Sequence, residues 1–138
     1  VNDSALNSNT VASTINVTSV NDAPVLATGS TLNYTENDPA SAINTAITVA
    51  DVDNTTLATA SVAITANFVS GQDVLSFTSV PATMGNITGS YNAATGVMSL
   101  SSAGNTATLA QWQAALRSIQ YSNTSENPSG SARTVSFT

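Results

Sequence analysis

Short stretches in which apolar and polar residues alternate recur along the chain, separated by Gly, Asn, Asp and Pro. This period of two is typical of half-buried strands joined by turns, and it predicts an all-β protein. Strands are expected at residues 10–20, 47–50, 60–66, 73–78, 86–91, 97–100, 119–123 and 133–138. A further edge strand is expected around Tyr34, and residues 92–96, a short loop ending in Gly, predict a hairpin.

One segment departs from the alternation. Residues 108–118 are rich in Ala, Leu and Gln, and they place Leu109, Trp112, Ala115 and Leu116 at helical spacing. Thr108 is a suitable N-cap, because its hydroxyl can accept a hydrogen bond from an amide of the first turn. We therefore expect one short helix at about 108–118 that closes one edge of a β-sandwich, with Trp112, the only Trp of the chain, as a core anchor.

Composition removes most enzymatic chemistry. The chain has 138 residues, of which 41% are hydrophobic and 7% charged, with 8 acidic and 2 basic residues and no His, Cys or Lys. The absences exclude a Ser-His or Cys-His nucleophile pair, a usual zinc or haem site, and a Schiff-base lysine. An enzyme is therefore not expected, and the remaining alternative is glycoside hydrolysis by a pair of carboxylates. A net charge of −6 opposes nucleic-acid binding, and no apolar run is long enough for a membrane span.

Most acidic residues stand at the ends of predicted strands. Asp51 and Asp53 directly follow an apolar strand, and their spacing returns both side chains to one face of an extended chain. Oxygen ligands without His or Cys suit Ca²⁺ better than a transition metal. The alternative is turn chemistry, in which such side chains bond neighbouring backbone amides. Asp3 and Asp73 are considered as a separate loop site. The candidate Ca²⁺ ligands are Asn21, Asp22, Glu36, Asp38, Asp51 and Asp53.

The order of these motifs resembles that of a cadherin-like, or Ig-like, tandem repeat of large bacterial extracellular surface proteins and adhesins. The resemblance rests on Asn21-Asp22-Ala23-Pro24, on Glu36 within YTEND, on Asp51-Val52-Asp53 and on the Thr-Gly hairpin of residues 95–100, and it spans residues 21–138. It implies an Ig/cadherin-like Greek-key β-sandwich.

The resemblance also implies two calcium half-sites. Asn21, Asp22, Asp51 and Asp53 would converge at the junction with the preceding repeat. Glu36, with Asp38, would lie at the opposite end and face the linker of the following copy. The Asp-Arg-Glu motif that animal cadherins place after the hairpin is absent here. The resemblance therefore implies one Ca²⁺ per junction, or two at most, bound with a dissociation constant of about 10⁻⁴–10⁻³ M.

The two ends of the chain suggest how copies follow one another. Val-Asn-Asp occurs at residues 1–3 and again at 20–22, and residues 133–138 read as a strand that stops without a turn. We expect one period of a longer array, cut inside a strand. Residues 1–20 would be a terminal strand hairpin that belongs to the preceding repeat or completes a neighbouring copy. Residues 21–138 would be a cadherin-like β-sandwich repeat that lacks its own last strand.

The leading hypothesis is a structural, calcium-rigidified tandem repeat of an extracellular bacterial adhesin or surface filament, located at the cell surface. Its partners would be adjacent identical repeats, joined head to tail. One alternative is a glycan- or cell-binding adhesion module, for which Tyr34, Tyr91 and Tyr121 are the aromatic candidates. A second alternative is an independent subunit that polymerises by strand donation.

Overall fold

The computed structural model describes the whole chain, Val1–Thr138, which is mostly β. The strands are β1 (Val25–Ala27), β2 (Ser41–Ala42), β3 (Thr48–Ala50), β4 (Thr59–Ala66), β5 (Asp73–Ser76), β6 (Ile87–Asn92), β7 (Val97–Ser102), β8 (Gln120–Asn123) and β9 (Thr134–Phe137). The helices are α1 (Pro81–Met84) and α2 (Leu109–Arg117), and a 3₁₀ turn covers Ala103–Asn105. The strands form three antiparallel sheets, in the orders β1-β3, β2-β8-β5 and β6-β7-β4-β9. The predicted β class is confirmed.

The two smaller sheets lie side by side, because β2 belongs to one of them and β3, the next strand in the chain, belongs to the other. β2 and β3 follow each other closely, with β8 paired to the first and β1 to the second. The third sheet packs against them through one core of 14 buried residues, which includes Leu75 of β5 and Val62 of β4. The strands are therefore arranged as two layers around a single core.

The predicted strands from residue 47 onward each have a counterpart, and residues 92–96 join β6 to β7 as the expected hairpin. The expected edge strand around Tyr34 is wrong. Tyr34 precedes a turn in which the Asp38 N–H donates to the Thr35 carbonyl oxygen at 3.0 Å. This turn takes the chain out of an extended course before it reaches β2.

Helix α2 confirms the predicted helix, its cap and its anchor. The Thr108 side chain accepts from the Gln111 N–H at 3.3 Å, and the Gln111 side chain accepts from the Thr108 N–H at 2.9 Å. This reciprocal pair satisfies two amides at the start of the helix. Trp112 is 1% exposed, and its ring nitrogen donates to the Leu57 carbonyl oxygen at 3.0 Å. The helix thereby ties the segment before β4 to the core.

Two ends of the domain are used below as reference points. The proximal end is where β1 begins at Val25 opposite the last residue of β3, Ala50. The distal end is where β4 finishes at Ala66, opposite the first residue of β9, Thr134. β9 therefore runs from the distal end to the proximal end.

Residues 10–20, which the alternation predicts as a strand, form no strand in the single chain, and all of them are exposed. A tight turn closed by an isolated bridge between Asn2 and Asn7 precedes them. The expectation that residues 1–20 pair with another copy, and the expected boundary at residue 21, stay predictions.

Candidate junction sites at the two ends of the domain

At the proximal end, the linker before β1 is bonded to the loop after β3. The Asp22 N–H donates to Asp53 Oδ2 at 2.6 Å, and Asn54 Nδ2 donates to Asn21 Oδ1 at 2.9 Å. This contact follows from the pairing of β1 with β3. Because Val25 pairs with Ala50, the chain continues into Pro24 and Asp51 at the same end of the two strands. The structure therefore brings together the two segments that carry four predicted ligands, Asn21 and Asp22 in the linker and Asp51 and Asp53 in the loop, without grouping their three carboxylates.

The same loop also uses its acids in turn chemistry. Asp51 Oδ1 accepts from the Asn54 N–H at 2.7 Å and from the Asp53 N–H at 2.9 Å. These two hydrogen bonds, the Asn54 bond first, lower the pKa of the Asp51 carboxyl below its usual value. Asp51 Oδ2 has only a long contact of 3.5 Å to Asn54 Nδ2, and the Asp22 carboxylate accepts no hydrogen bond.

Ca²⁺ needs more oxygen ligands than the proximal end of one copy presents. Ca²⁺ takes about six to eight oxygen ligands. The linker presents the Asp22 carboxylate and the proximal loop presents Asp51 Oδ2, and these oxygens accept few hydrogen bonds within the chain. No group of three or more acidic side chains in the chain lies close enough to hold a metal ion. One copy therefore offers an incomplete ligand set.

Glu36 and Asp38 lie in the turn that follows Tyr34, away from the proximal loop. The Thr35 N–H donates to Asp38 Oδ2 at 3.0 Å, and the Tyr34 hydroxyl donates to the Asp38 carbonyl oxygen at 2.6 Å. Asn37 occupies the left-handed region with φ of 68°, which this short turn requires. Asp38 thus stabilises its own turn, whereas the Glu36 side chain is exposed.

The strongest electrostatic site is one that sequence reasoning missed. Asp73 is 1% exposed, and its carboxylate accepts from Tyr121 Oη at 2.6 Å, Asn123 Nδ2 at 2.7 Å, the Val69 N–H at 2.7 Å and Arg133 Nε at 3.3 Å. Burial alone would raise the pKa of Asp73, but these donors outweigh it and hold the pKa below its usual value. Burial, and then the Asp73 carboxylate, raise the pKa of Tyr121 to about 12.

The alternative of a separate loop site formed by Asp3 and Asp73 is therefore wrong. The donors around Asp73 occupy its carboxylate inside the fold, while Asp3 accepts from the amides of Ala5 and Leu6 in an exposed turn. The spacing of these acids gave no sign of this difference, because all three side-chain donors to Asp73 come from remote parts of the chain.

The three tyrosines face inward. The rings of Tyr34 and Tyr121 meet edge to face, with centroids 5.1 Å apart and an interplanar angle of 86°. The Tyr91 hydroxyl donates to the Asp73 carbonyl oxygen at 2.8 Å. These contacts use the tyrosines for packing and for hydrogen bonds within the domain.

An open groove separates the segment after β1 from β9. It has a volume of about 660 Å³, and Glu36 lines it at the distal end. A second groove of about 520 Å³ lies at the proximal end and shares Leu26 and Phe137 with the first. The two grooves therefore adjoin along this side of the domain.

Comparisons with protein-family models, with curated proteins and with solved structures find no match to this chain. None of the helices has the length and apolar character needed to cross a membrane.

Proposed function

We propose that the chain is a structural repeat of an extracellular bacterial adhesin or surface filament, whose copies follow one another head to tail with Ca²⁺ at each junction. The observation that carries the proposal is the attachment of the linker to the proximal loop, through the 2.6 Å bond from the Asp22 N–H to Asp53 Oδ2. A linker held in one orientation where the domain begins sets the direction of whatever precedes it. That is the property a repeat in a rod requires.

The proposed fold is an Ig/cadherin-like Greek-key sandwich. Its support is the path of the chain, which passes from β4 in one layer to β5 in the other and returns to the first layer in β6 and β7. After α2 the chain crosses again to β8, and then again to β9. Repeated crossing between two antiparallel layers is typical of Greek-key sandwiches.

Calcium would complete its ligand set across the junction. Asn21, Asp22, Asp51 and Asp53 of one copy would supply oxygens from its proximal end. Glu36 of the preceding copy, an exposed carboxylate at the distal end, would supply the complementary oxygens. When bound, the ion would neutralise the junction carboxylates and connect both copies to one centre. Without it, repulsion among these carboxylates leaves the two copies free to bend relative to each other at the junction.

The positions of the tyrosines and of the loop carboxylates, together with the net charge, support a structural role. The tyrosines are buried or half-buried, and the rings of Tyr34 and Tyr121 pack against each other. Asp51 and Asp53 belong to a single turn and leave no room for a sugar ring between them. The net charge of −6 disfavours a nucleic-acid partner.

The proposal is tested on a chain that carries two copies in tandem. Its length by small-angle X-ray scattering and its melting temperature are measured with Ca²⁺ and with chelator. We expect a longer, stiffer particle in Ca²⁺, with stabilisation of about 1.4 kcal/mol per site at ten times the dissociation constant. Asp53→Asn retains an acceptor for the Asp22 N–H but removes the charge, and should weaken this response.

The matched control is Glu126→Gln, which removes one negative charge from an exposed side chain that is not among the candidate Ca²⁺ ligands. It should respond to Ca²⁺ as the parent chain does. The proposal is wrong if chelator leaves both the length and the melting temperature unchanged, or if Asp53→Asn and Glu126→Gln respond alike.

A further inference from the structure

Residues 10–20 have the pattern of a strand and no partner. None of them makes a backbone hydrogen bond, and all are exposed. Val11, Ile15 and Val17 are exposed by 81%, 86% and 88%. Because successive side chains of an extended strand point to opposite faces, these three residues share one apolar face. An apolar face of this kind is normally covered in a soluble protein.

β9 is an edge strand with one open side. It pairs with β4 alone, and Thr138 exchanges both backbone hydrogen bonds with Ser61, at 2.8 and 2.9 Å. Bonded and non-bonded residues alternate along an antiparallel pair. The N–H and C=O groups of Val135 and Phe137 therefore point away from β4, toward the open side. An edge of this kind is a template for a further strand.

The groove beside this edge suits the apolar face of an incoming strand. Val135 and Phe137 are half-buried and line it from β9, facing apolar residues of the opposite layer. Those residues are Leu26, Leu32, Ile43 and Ile47. Arg133 also lines the groove, and its Nη2 is buried and has no hydrogen-bond acceptor in the chain. The carbonyl groups of an added strand are acceptors of the required type.

The direction of the chain argues against the same copy as the donor. Its residues 10–20 finish at Val20, next to the linker that is bonded to the proximal loop. Laid along the domain, they would run from the distal to the proximal end, which is parallel to β9. An antiparallel partner of β9 must instead enter at the proximal end and leave at the distal end. A second copy can meet this condition.

We propose that residues 10–20 of a second copy insert antiparallel along β9 and place Val11, Ile15 and Val17 in the groove. This inference rests on the proposed head-to-tail function and names the contact that joins the copies. Eleven extended residues span about 36 Å, enough to cover the length of β4, which spans about 26 Å. The donor's linker would then leave at the distal end, beside Glu36 of the acceptor, where the proposed Ca²⁺ junction needs it.

The test uses the 138-residue chain in chelator, so that calcium plays no part in the result. Mass is measured by size exclusion with light scattering over a wide range of concentration. The parent chain should form oligomers that grow with concentration. Ile15→Asp should weaken association by about a hundredfold or more, because it replaces the central apolar side chain of the inserted face with a charged one. Ile15 is exposed in the single chain, so this change leaves the folded domain intact.

Asn16→Asp is the matched control, because it adds the same charge to the opposite face of the same segment. It should associate as the parent chain does. The inference is overturned if the parent chain stays monomeric at every concentration. Pairing of residues 10–20 within their own copy would give that result. It is equally overturned if the two variants associate alike. Calcium dependence of the tandem chain is a separate readout, so either proposal can fail alone.

Discussion

Asp73→Asn is the substitution for which the structure predicts the largest effect of a single polar change. The replacement keeps the size of the side chain but removes its charge and turns one acceptor oxygen into a donor. That donor must then face one of the groups that now bond to the carboxylate, which include Tyr121, Asn123 and Arg133. The Arg133 guanidinium would also lose its only ion-pair partner.

The magnitude follows from burial. The side chain of Asp73 is 0% exposed and that of Arg133 is 12% exposed, so solvent screens the pair little. Removing one partner of a buried pair costs about 3–5 kcal/mol, and a hydrogen bond to a charged group contributes about 1.5–3 kcal/mol. Since Asn retains part of the bonding, we expect a loss of about 3 kcal/mol, or a decrease in melting temperature of roughly 10 °C.

The assay is urea unfolding followed by the fluorescence of Trp112, the only Trp and a buried one. Glu126→Gln makes the same chemical change at an exposed site and should stay within about 0.5 kcal/mol of the parent. The folded-state pKa of Asp73 is lowered, so its contribution is present above about pH 4 and lost as pH falls below that value. A loss for Asp73→Asn no larger than that for Glu126→Gln would refute the reasoning.

Two further predictions concern packing and titration. Gly89→Ala should destabilise by about 1–3 kcal/mol, because its new Cβ would lie 2.6 Å from Phe77 Cδ1 and 2.9 Å from Leu100 Cδ2. Gly130→Ala, with nothing within 4 Å, is its control in the same urea assay, and equal effects would contradict the expectation. In a tyrosinate absorbance titration, one tyrosine should ionise at a pH of about 12, and Tyr121→Phe should remove that step. Since this pKa is raised, the stability that neutral Tyr121 contributes should fall as pH rises from about 10 to 12, and titration of every tyrosine near 10 would contradict this.

The strands from β3 onward were predictable because alternation could be recognised in them or in the residues beside them. β1 and β2, of three and two residues, carry too few positions for a period of two to stand out. Their existence depends on pairing with β3 and β8, which lie elsewhere in the chain. The edge strand expected around Tyr34 was wrong for a related reason, since the local turn at Asp38 outweighs the alternation there.

Of the candidate sites too, one was expected from the sequence and one was not. The meeting of the Asn21–Asp22 linker with the loop that carries Asp53 was implied by the resemblance to cadherin-like repeats, and the pairing of β1 with β3 brings it about. The Asp73 site could not be expected, because Tyr121 and Arg133 lie 48 and 60 positions away along the chain. Such a contact depends on the tertiary arrangement of β5, β8 and β9, and no local spacing encodes it.

The central claim is that one copy completes the open edge of the next, and amide hydrogen exchange at β9 tests it most directly. The outward-pointing amides of Val135 and Phe137 have no acceptor in the single chain. In the assembled parent protein, we expect both amides to exchange slowly, whereas in Ile15→Asp at the same concentration both should exchange rapidly. Equal exchange rates at these two amides in the parent protein and in Ile15→Asp would contradict the account.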